Sequence, residues 1–343
     1  MRRLLMIQQQ LLPDLTEVLK RRYTILRHVM VSGTVGRRTL AVSLEMTERV
    51  LRAEVEFLRE QGLLEMESAG MRISPAGEKL LDEMEPLVGD IFGLSDMEAA
   101  IKRMFGLKQV VIVPGDADSS AVAKRELGRA GGAMLRKYTS KNDVIAVTGG
   151  STMAELAEHM PLAAQSAGTL FVPARGGLGE RVELEANTIA AMMAKKTGAQ
   201  YRLLHVPDHL SEEAYQSLIQ DPEIRDLIEV IRSARIVVHG IGDAKMMAER
   251  RRLNEATTNS MLQAGAKGEA FGYYFDSEGR VVHKMPNVGL RLEDVEQTEI
   301  VIAVAGGKSK GSAIAAVMRN GQEDVLVVDE AAASELLKWE TAK

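Results

Sequence analysis

The stretch DVIAVTGGSTMAELAEHM, residues 143–160, decides the fold of most of this chain. A β-branched apolar run comes first, the pair Gly149–Gly150 follows it, and a helical pattern comes after the pair. A strand, a tight glycine turn and a helix in this order place bare backbone N–H groups at a helix N-terminus, where proteins hold anions. The stretch therefore predicts an anion site and leaves open whether the anion is converted or only sensed.

The same order of strand, turn and helix recurs along the chain. Short apolar runs that alternate with helical patterns are typical of a parallel sheet buried on both faces. We therefore predict an α/β domain whose ligand lies at the carboxyl ends of the strands. The run EAFGYYFDSEGRVVHK (269–284) differs, because a turn signal at Asp276–Gly279 separates two strand-like pieces and predicts a β-hairpin. The strand-like segments are VVIVPGD (110–116), DVIAVTGG (143–150), TLFVPARGG (169–177), YRLLHVP (201–207), RIVVHGIGD (235–243), IVIAVAGG (300–307) and VLVVDE (325–330).

The length of the chain predicts two domains. It has 343 residues, which is more than one compact domain usually holds. Strand-like runs are missing from its beginning until LLEMESAGMRISPAG (63–77), and the turn residues Pro86 and Gly89 follow soon after. We predict one domain at residues 1–86 and a second at residues 87–343.

The composition excludes several classes of site. The sequence contains no cysteine, which rules out disulfides, thiolate metal sites and cysteine nucleophiles and suits a reducing cytoplasm. His205 and His209 are four residues apart, but Pro207 between them disfavours a helical metal-binding pair. No apolar run approaches the roughly 20 residues that a membrane helix needs. We expect a cytoplasmic protein without a membrane segment, a metal or a cofactor.

The segment GRRTLAVSLEMTERVLRAEVEFLREQGLL (36–64) predicts a helix-turn-helix. A short helix runs from Thr39 to Ser43, a turn follows, and Thr47 caps the next helix. Two short strand-like pieces around Ala69–Gly70 then form a wing. Apolar residues at spacings of three and four face inward from the second helix: Val50, Leu51, Val55 and Leu58.

Residues at the start of the second helix are placed to read DNA bases. Thr47, Arg49 and Arg52 face outward there, and Arg37 and Arg38 suit contacts with phosphates. Residues 1–60 carry a net charge of +4 inside a chain of net charge −5. This pattern predicts a DNA-binding domain, and the alternative is a small helical dimerisation domain with a solvated charged face.

Three interpretations of the Gly149–Thr152 loop are open. A dinucleotide fold needs G-x-G-x-x-G, which is not present in the loop. A P-loop needs G-x-x-x-x-G-K-S, and IAVAGGKS (302–309) has Ile302 where the first glycine belongs. In a phosphate cradle, the hydroxyls of Ser151 and Thr152 join the N–H groups, and the helix dipole favours the negative charge. A tight turn that holds no ligand is the structural alternative.

Two further glycine loops carry cations at predicted strand ends. VPARGGLGE (172–180) supplies Arg175, and GGKSKGS (306–312) supplies Lys308 and Lys310. Because the carboxyl ends of parallel strands share one edge of the sheet, the three loops are expected to meet in one crevice. Two separate cationic loops predict a ligand with more than one anionic group.

Longer strings, spread from the first helix to the last strand, resemble the SorC-type family of sugar-sensing repressors. The string FVPARGGLGE and the tyrosine-rich hairpin are more specific than the glycine pairs. The strings are LLPDLTEVLKRRYTILRHV (11–29), GRRTLAVSLEMTERVLRAEVEFLREQGLL (36–64), VTGGSTM (147–153), FVPARGGLGE (171–180), ANTIAAMMA (186–194), HGIGDAKMMAERR (239–251), EAFGYYFDSEGRVVHK (269–284) and IAVAGGKSK (302–310).

The resemblance implies a winged helix-turn-helix joined to a doubly wound effector domain of Rossmann type, similar to sugar-phosphate isomerases. It implies repression of glycolytic genes that fructose 1,6-bisphosphate relieves at the operator. The family pattern has a glutamine where this chain has Glu185, and a carboxylate beside a phosphate is unfavourable, so Glu185 is expected to face a sugar hydroxyl. The effector contacts that the resemblance implies are Gly149, Gly150, Ser151, Thr152, Arg175, Gly176, Gly177, Glu185, Arg250, Glu269 and Lys310.

A regulator and an enzyme are the two classes that this sequence leaves in competition. A sugar-phosphate isomerase or deaminase needs a carboxylate base with a pKa near the working pH, and Glu269 is the candidate. The basic N-terminal segment has no purpose in such an enzyme, so we expect a DNA-binding repressor. Because one helix-turn-helix makes few base contacts, a homo-oligomer, either a dimer or a tetramer, is also expected. Its pairing surface is predicted at Leu4, Leu5, Leu11, Leu12, Leu15 and Leu19.

Overall fold

The computed structural model describes residues 7, 10–84, 87–160, 168–179, 181–208, 212–286 and 288–341. The chain divides into two compact units, Met1–Asp96 and Met97–Lys343. The boundary predicted after residue 86 stays a prediction, since Glu85 and Pro86 lie outside the described residues. No helix in the described ranges has both the length and the apolar character that crossing a membrane requires.

The first unit contains the predicted helix-turn-helix and its wing. The inward stripe of the second helix consists of Leu51, Val55 and Leu58, whereas Val50 is 37% exposed, so the prediction that Val50 faces the core is wrong. The first helix begins at Arg37 rather than Thr39, because the extended Gly36 occupies its N-cap. The elements are α1 (Pro13–Ser32), α2 (Arg37–Ser43), α3 (Glu48–Glu60), β1 (Leu64–Glu67), β2 (Gly70–Ile73), α4 (Pro75–Met84) and α5 (Val88–Ile91).

The second unit is built on strands that alternate with helices, as predicted. Helix α6 (Leu94–Phe105) spans the division between the units. The strands are β3 (Gln109–Val113), β4 (Val144–Val147), β5 (Leu170–Pro173), β6 (Gln200–Tyr201), β7 (Ile236–His239), β8 (Gly242–Asp243), β9 (Gly268–Ala270), β10 (Tyr273–Phe275), β11 (Val281–Lys284), β12 (Ile300–Val304) and β13 (Val325–Asp329). The helices are α7 (Ala121–Tyr138), α8 (Ser151–His159), α9 (Ala186–Thr197), α10 (Glu212–Leu218), α11 (Pro222–Arg232), α12 (Ala244–Arg250), α13 (Glu255–Gln263), α14 (Leu292–Val295), α15 (Gly311–Asn320) and α16 (Glu330–Thr341).

A parallel sheet forms the centre of this unit, with the strand order β3-β13-β12-β7-β4-β5-β6 among the described residues. From β4 the chain adds β5 and β6 on one side, and then returns to add β7 and β12 on the other. The sheet therefore has its topological switch point between β4 and β7, which is where doubly wound folds bind ligands.

Both faces of the sheet are buried, which explains why its strands are apolar without alternation. On one face Ile145, Val238 and Ile302 pack with Leu156 of α8 and Met193 of α9. The residues between them along each strand point to the opposite face and are also buried. The sequences of these strands are therefore apolar along most of their length and do not alternate between apolar and polar residues.

A second, antiparallel sheet has the order β11-β10-β9-β8 and contains the predicted hairpin, β10 and β11. The predicted strand in YRLLHVP is shorter than expected, because only its first residue, Tyr201, belongs to β6. The side-chain amide of Asn187 forms hydrogen bonds with both backbone polar groups of Leu204. Its Oδ1 accepts from the N–H and its Nδ2 donates to the carbonyl, each at 2.9 Å. The backbone at Leu204 thus bonds a helix residue instead of a neighbouring strand.

Candidate anion-binding pocket and DNA-binding surface

A cleft of about 850 Å³, partly open to solvent, lies at the carboxyl ends of β4, β5, β7 and β12. Its position matches the switch point of the sheet, and residues of the small antiparallel sheet, among them Glu269 and Phe271, line it as well. The three glycine loops therefore meet in one crevice, as their positions after parallel strands predict. The predicted contact residues that line it are Gly149, Gly150, Ser151, Thr152, Arg175, Gly176, Glu185, Arg250, Glu269 and Lys310.

Gly177 is the predicted contact that does not line the cleft. Its N–H donates to the carbonyl of Val206 at 2.9 Å, and a β-carbon at this position would lie 2.9 Å from the Glu185 carboxylate. Glu185 itself accepts a hydrogen bond from the N–H of Leu178 at 3.0 Å. Gly177 therefore holds the second glycine loop against Glu185 and lies behind the surface that a ligand would touch.

The Gly149–Thr152 loop leaves a helix N-terminus open to the cleft. Gly149 packs so closely against the carbonyl of Leu184 that a β-carbon would lie 2.6 Å from its oxygen, and the N–H of Gly150 donates to the same oxygen at 2.8 Å. Gly150 has a φ of 115°, a conformation that favours glycine. Among the described residues, no side chain caps α8. The first N–H groups of this helix therefore point into the cleft with the geometry of an anion site.

Arg175 belongs to a buried network of two cations and two anions. Its Nη2 lies 2.8 Å from Oδ1 of Asp208, and its Nη1 lies 3.4 Å from Oε1 of Glu269. Arg251 contacts the same two carboxylates, at 3.0 Å for Asp208 Oδ2 and 2.9 Å for Glu269 Oε1, and it donates to the hydroxyl of Tyr274 at 3.0 Å. The network is balanced in charge, and Nε of Arg175 has no hydrogen-bond partner in it.

The network also fixes the ionisation of Glu269. Burial alone would raise the pKa of this carboxyl, but Arg251 and Arg175 outweigh burial and hold its pKa below the ordinary value. The N–H of Gly272 adds a hydrogen bond of 2.6 Å to Oε1. Glu269 is thus an ionised acceptor at neutral pH, suited to hydroxyl donors and unsuited to accepting a proton from carbon.

Lys310 lines the cleft from the loop that follows β12, and Arg250 lines it from the end of α12. Burial is the largest influence on the pKa of Lys310 and lowers it, and the positive charges of Lys124 and Arg250 lower this pKa further. Asp118 acts in the opposite direction but does not outweigh them. An anion in the cleft would relieve this repulsion.

The GGKSKGS loop presents cations without forming a phosphate cradle of its own. Its N–H groups donate to carboxylates of this chain: that of Gly307 to Asp329 at 2.7 Å, and that of Ser309 to Asp118 at 2.7 Å. The N–H of Lys308 donates to Asp116 at 3.2 Å. These N–H groups are therefore already bonded inside the protein and are not available to a nucleotide phosphate.

Asp208 and Arg251 are site residues that the sequence analysis did not identify. Asp208 follows VP in an irregular segment, and no local pattern distinguishes it from a loop carboxylate. Arg251 stands in the run AERRRLN, which is most often a solvated face, and yet its side chain is 5% exposed. No local pattern in this run distinguishes the buried Arg251 from its neighbours.

The DNA-binding candidates lie together on the first unit. Thr47 caps α3 by accepting from the N–H of Val50 at 3.4 Å, as predicted. Arg37 and Arg38 occupy the first turn of α2, and Arg49 and Arg52 lie on α3; all four are exposed. The exposed arginines at the start of α2 and α3 thus form one candidate nucleic-acid surface.

The wing contributes little positive charge to this surface. Nε of Arg72 lies 2.6 Å from Oε1 of Glu67, and the same guanidinium also pairs with Glu65. All three residues belong to the hairpin of β1 and β2. The positive charge for contacts with a phosphate backbone is therefore expected from the helices.

Comparison with known proteins supports a DNA-binding first unit and a ligand-binding second unit. Residues 18–88 match the model of the CggR N-terminal DNA-binding domain, and residues 89–338 match that of a "Putative sugar-binding domain". The central glycolytic genes regulator of Priestia megaterium is 48% identical to this chain over 98% of it and 99% of the relative. The protein of the same name from Bacillus subtilis is 44% identical over 99% of this chain and 100% of the relative.

Solved structures agree with the fold. A SorC family transcriptional regulator from Enterococcus faecalis matches with a TM-score of 0.66 and 43% identity, covering 71% of this chain and 99% of that one. The full-length sorbitol operon regulator SorC from Klebsiella pneumoniae matches with a TM-score of 0.68 over 88% of this chain and 94% of that one, and at 20% identity it supports the fold alone. These relatives are named as regulators, which agrees with the prediction of a regulator rather than an enzyme. The chain belongs to the family of the central glycolytic genes regulators, SorC-type transcriptional regulators that join a DNA-binding domain to a sugar-binding domain.

Proposed function

We propose that this chain is a repressor of glycolytic genes, and that fructose 1,6-bisphosphate binds the cleft and releases the repressor from its operator. One observation carries the proposal. An uncapped helix N-terminus, two cations and an ionised hydroxyl acceptor line one cleft. A phosphorylated sugar is the ligand class that needs all three, because its phosphates need N–H groups and cations and its hydroxyls need a carboxylate.

One phosphate is assigned to the loop Gly149–Thr152 together with Lys310. The N–H groups at the start of α8 and the hydroxyls of Ser151 and Thr152 supply neutral donors, and the ammonium supplies charge. Arg250 is assigned to the second phosphate. Arg175 is already paired with two carboxylates, so we give it the role of holding Glu269 towards the sugar.

The alternative enzyme would use Glu269 as its base. Two arginines hold the pKa of this carboxyl below its ordinary value, whereas an isomerase needs a base whose pKa lies near the working pH. The names of the relatives also favour a regulator. We therefore propose that the sugar phosphate is sensed and not turned over.

Calorimetric titration of the full-length protein tests the effector assignment. Lys310→Ala removes a charged hydrogen bond and is expected to weaken fructose 1,6-bisphosphate about tenfold or more. Thr152→Ala removes a neutral donor and is expected to cost less. Both variants should keep their operator affinity in the absence of sugar, because the DNA-binding helices lie in the other unit, and both should require more sugar for release.

Two results would contradict the proposal. Unchanged affinity of Lys310→Ala would remove the ammonium from the site. Equal affinity of the wild-type protein for fructose 6-phosphate and for the bisphosphate would remove the second phosphate subsite. Conversion of either sugar by the protein would instead support the enzyme.

The proposed repressor acts in the cytoplasm as a homo-oligomer, a dimer or a tetramer, on paired half-sites of operator DNA. An exposed apolar stripe on the first unit supports the pairing, and it consists of Ile7, Leu11, Leu12, Leu15 and Leu19. Leu4 and Leu5, predicted on the same surface, lie outside the described residues. Leu15→Glu is expected to lower the mass that sedimentation measures, and one monomer per operator in the wild type would contradict the oligomer.

A further inference from the structure

Glu56 is an exposed carboxylate on α3, the helix that carries the candidate base-reading arginines. The buried stripe of this helix consists of Leu51, Val55 and Leu58. Because an α-helix turns by about 100° per residue, Glu56 lies at least about 100° around the axis from each of them. Arg52, one turn earlier, is exposed as well. The two side chains therefore share a surface that faces away from the core.

The carboxylate of Glu56 is not neutralised inside its own unit. Glu54, two residues earlier, shows the contrast, because its Oε2 lies 2.8 Å from Nε of Arg22 and its Oε1 lies 3.3 Å from Nε of Arg21. Within the ranges that the structure describes, Glu56 and Arg52 form no hydrogen bond and no ion pair, although their spacing of four residues suits one. Both groups are therefore available to a partner outside the chain.

A free carboxylate on this surface opposes the binding of DNA in general. The first unit matches a DNA-binding domain, and every duplex presents phosphates, which repel a negative charge. An ionised carboxylate only accepts hydrogen bonds, so it needs a donor on the duplex. In the major groove the donors are the N4 amino group of cytosine and the N6 amino group of adenine. The charge of Glu56 thus makes affinity depend on the base that it meets.

A G·C pair matches both free side chains. Guanine presents the acceptors O6 and N7, which one guanidinium can bridge, and cytosine presents the N4 donor. Adenine is the poorer partner for a carboxylate, because its N6 donor stands beside the acceptor N7. Arg52 and Glu56 are about 6 Å apart along the helix axis, and base pairs follow one another every 3.4 Å or so. The two side chains can therefore reach bases within about two base pairs of each other.

We propose that Glu56 is a further specificity-determining residue of the DNA-binding unit, and that its carboxylate accepts a hydrogen bond from N4 of an operator cytosine, close to a guanine that Arg52 contacts. This inference rests on the proposed function, in which the chain represses from an operator. Glu56 attracts the correct base and is repelled by the phosphates of a duplex that offers no donor there. Such a residue lowers affinity for random DNA while it raises affinity for the operator.

The test uses full-length protein to select duplexes from a random pool. Sequencing of the bound duplexes gives the base preference at each position for the wild type, Glu56→Ala, Glu56→Gln and Arg52→Ala. Glu60→Ala is the matched control, because Glu60 is exposed at the end of the same helix and its loss changes the charge equally. Titrations of the duplex that the wild type selects, and of a scrambled duplex, measure affinity at one salt concentration. Thermal unfolding measures the effect on the fold.

Glu56→Ala is expected to lose a preference for cytosine at one position and to bind the selected duplex about tenfold more weakly. It should bind the scrambled duplex no more weakly than the wild type does, because a repulsion is removed. Glu56→Gln is expected to prefer adenine at that position, since a carboxamide pairs with both N6 and N7 of adenine. The position should lie within about two base pairs of the guanine preference that Arg52→Ala loses. Glu60→Ala should keep every preference and the wild-type melting temperature.

Three results would overturn the inference and leave the proposed function in place. The first is selection of the wild-type sequence by Glu56→Ala at every position. The second is loss of a preference for a base other than cytosine. The third is loss of the same preference in Glu60→Ala, which would assign the effect to net charge. If the wild type selects no sequence from the pool, it has no operator, and the proposed function is wrong together with the inference.

Discussion

Arg251 donates from Nη2 to Oε1 of Glu269 across 2.9 Å, in a buried network that also contains Arg175 and Asp208. The two residues are 18 positions apart, and they come from the end of α12 and from β9. Two buried carboxylates and two buried guanidiniums compensate one another, so removal of one member leaves an excess charge inside the protein. The network therefore fixes the wall of the cleft and links it to the stability of the fold.

Glu269→Gln is expected to destabilise the protein by about 3 kcal/mol, because Arg175 and Arg251 would then share a single buried carboxylate. Urea unfolding of the ligand-free protein measures the change. Glu278→Gln, at the exposed turn of the hairpin, removes the same charge from solvent and is expected to have almost no effect. Equal stability of the two variants would show that the network contributes nothing.

Acid is expected to destabilise the protein through Asp143. Burial raises the pKa of this carboxyl, but Arg235, at 2.6 Å from both carboxylate oxygens, and the N–H of Ser140 lower it more, so its folded-state pKa is depressed. The stabilisation is thus complete above the unfolded pKa of about 4 and is lost as the pH falls through the lower folded value.

Asp143→Asn isolates this effect. The variant should be less stable than the wild type at pH 6, and the difference should shrink at pH 3, because the carboxyl of the unfolded chain is protonated below its pKa of about 4. Denaturant unfolding at the two pH values measures both differences. A constant difference across this range would assign the acid sensitivity to other carboxyls.

Gly128→Ala is expected to separate α7 from α8, because the new methyl would lie 2.6 Å from backbone atoms of Glu155 that cannot move independently. We expect a loss of a few kcal/mol in unfolding free energy, in the range of overpacked cores. Gly131→Ala is the comparison, since its methyl would meet side-chain atoms and no backbone: Cδ1 of Leu156 at 2.8 Å and Cγ2 of Val304 at 3.0 Å. A smaller loss in Gly128→Ala than in Gly131→Ala would contradict the close approach of the two helices.

Arg52→Ala and Arg38→Ala are expected to separate base reading from phosphate contact. Arg52 lies on the exposed face of α3, so its loss should weaken operator binding by about 1–3 kcal/mol and random DNA less. Arg38 lies in the first turn of α2, so its loss should weaken both alike and reduce the salt dependence. Binding curves over a range of salt concentrations measure both effects, and operator affinity unchanged by Arg52→Ala would remove α3 from base readout.

The sequence by itself predicted the structural elements that depend on residues close together in the chain. The run DVIAVTGG required a buried parallel strand followed by a tight turn, since only glycine adopts the φ of 115° at Gly150 without strain. Thr47 predicted the start of α3, because a side-chain cap satisfies a neighbouring N–H. The convergence of loops after β4, β5 and β12 followed from the rule that parallel strands present their carboxyl ends together.

Only the tertiary structure decided which charges are paired inside the protein and which face the cleft. Arg175, Arg250, Arg251 and Lys310 are all cations beside strand or helix ends, and no sequence pattern separates them. The fold pairs Arg175 and Arg251 with Asp208 and Glu269 and leaves the ammonium of Lys310 facing the cleft. Charge compensation depends on distances between residues far apart in the chain, and those distances exist only after the sheet has formed.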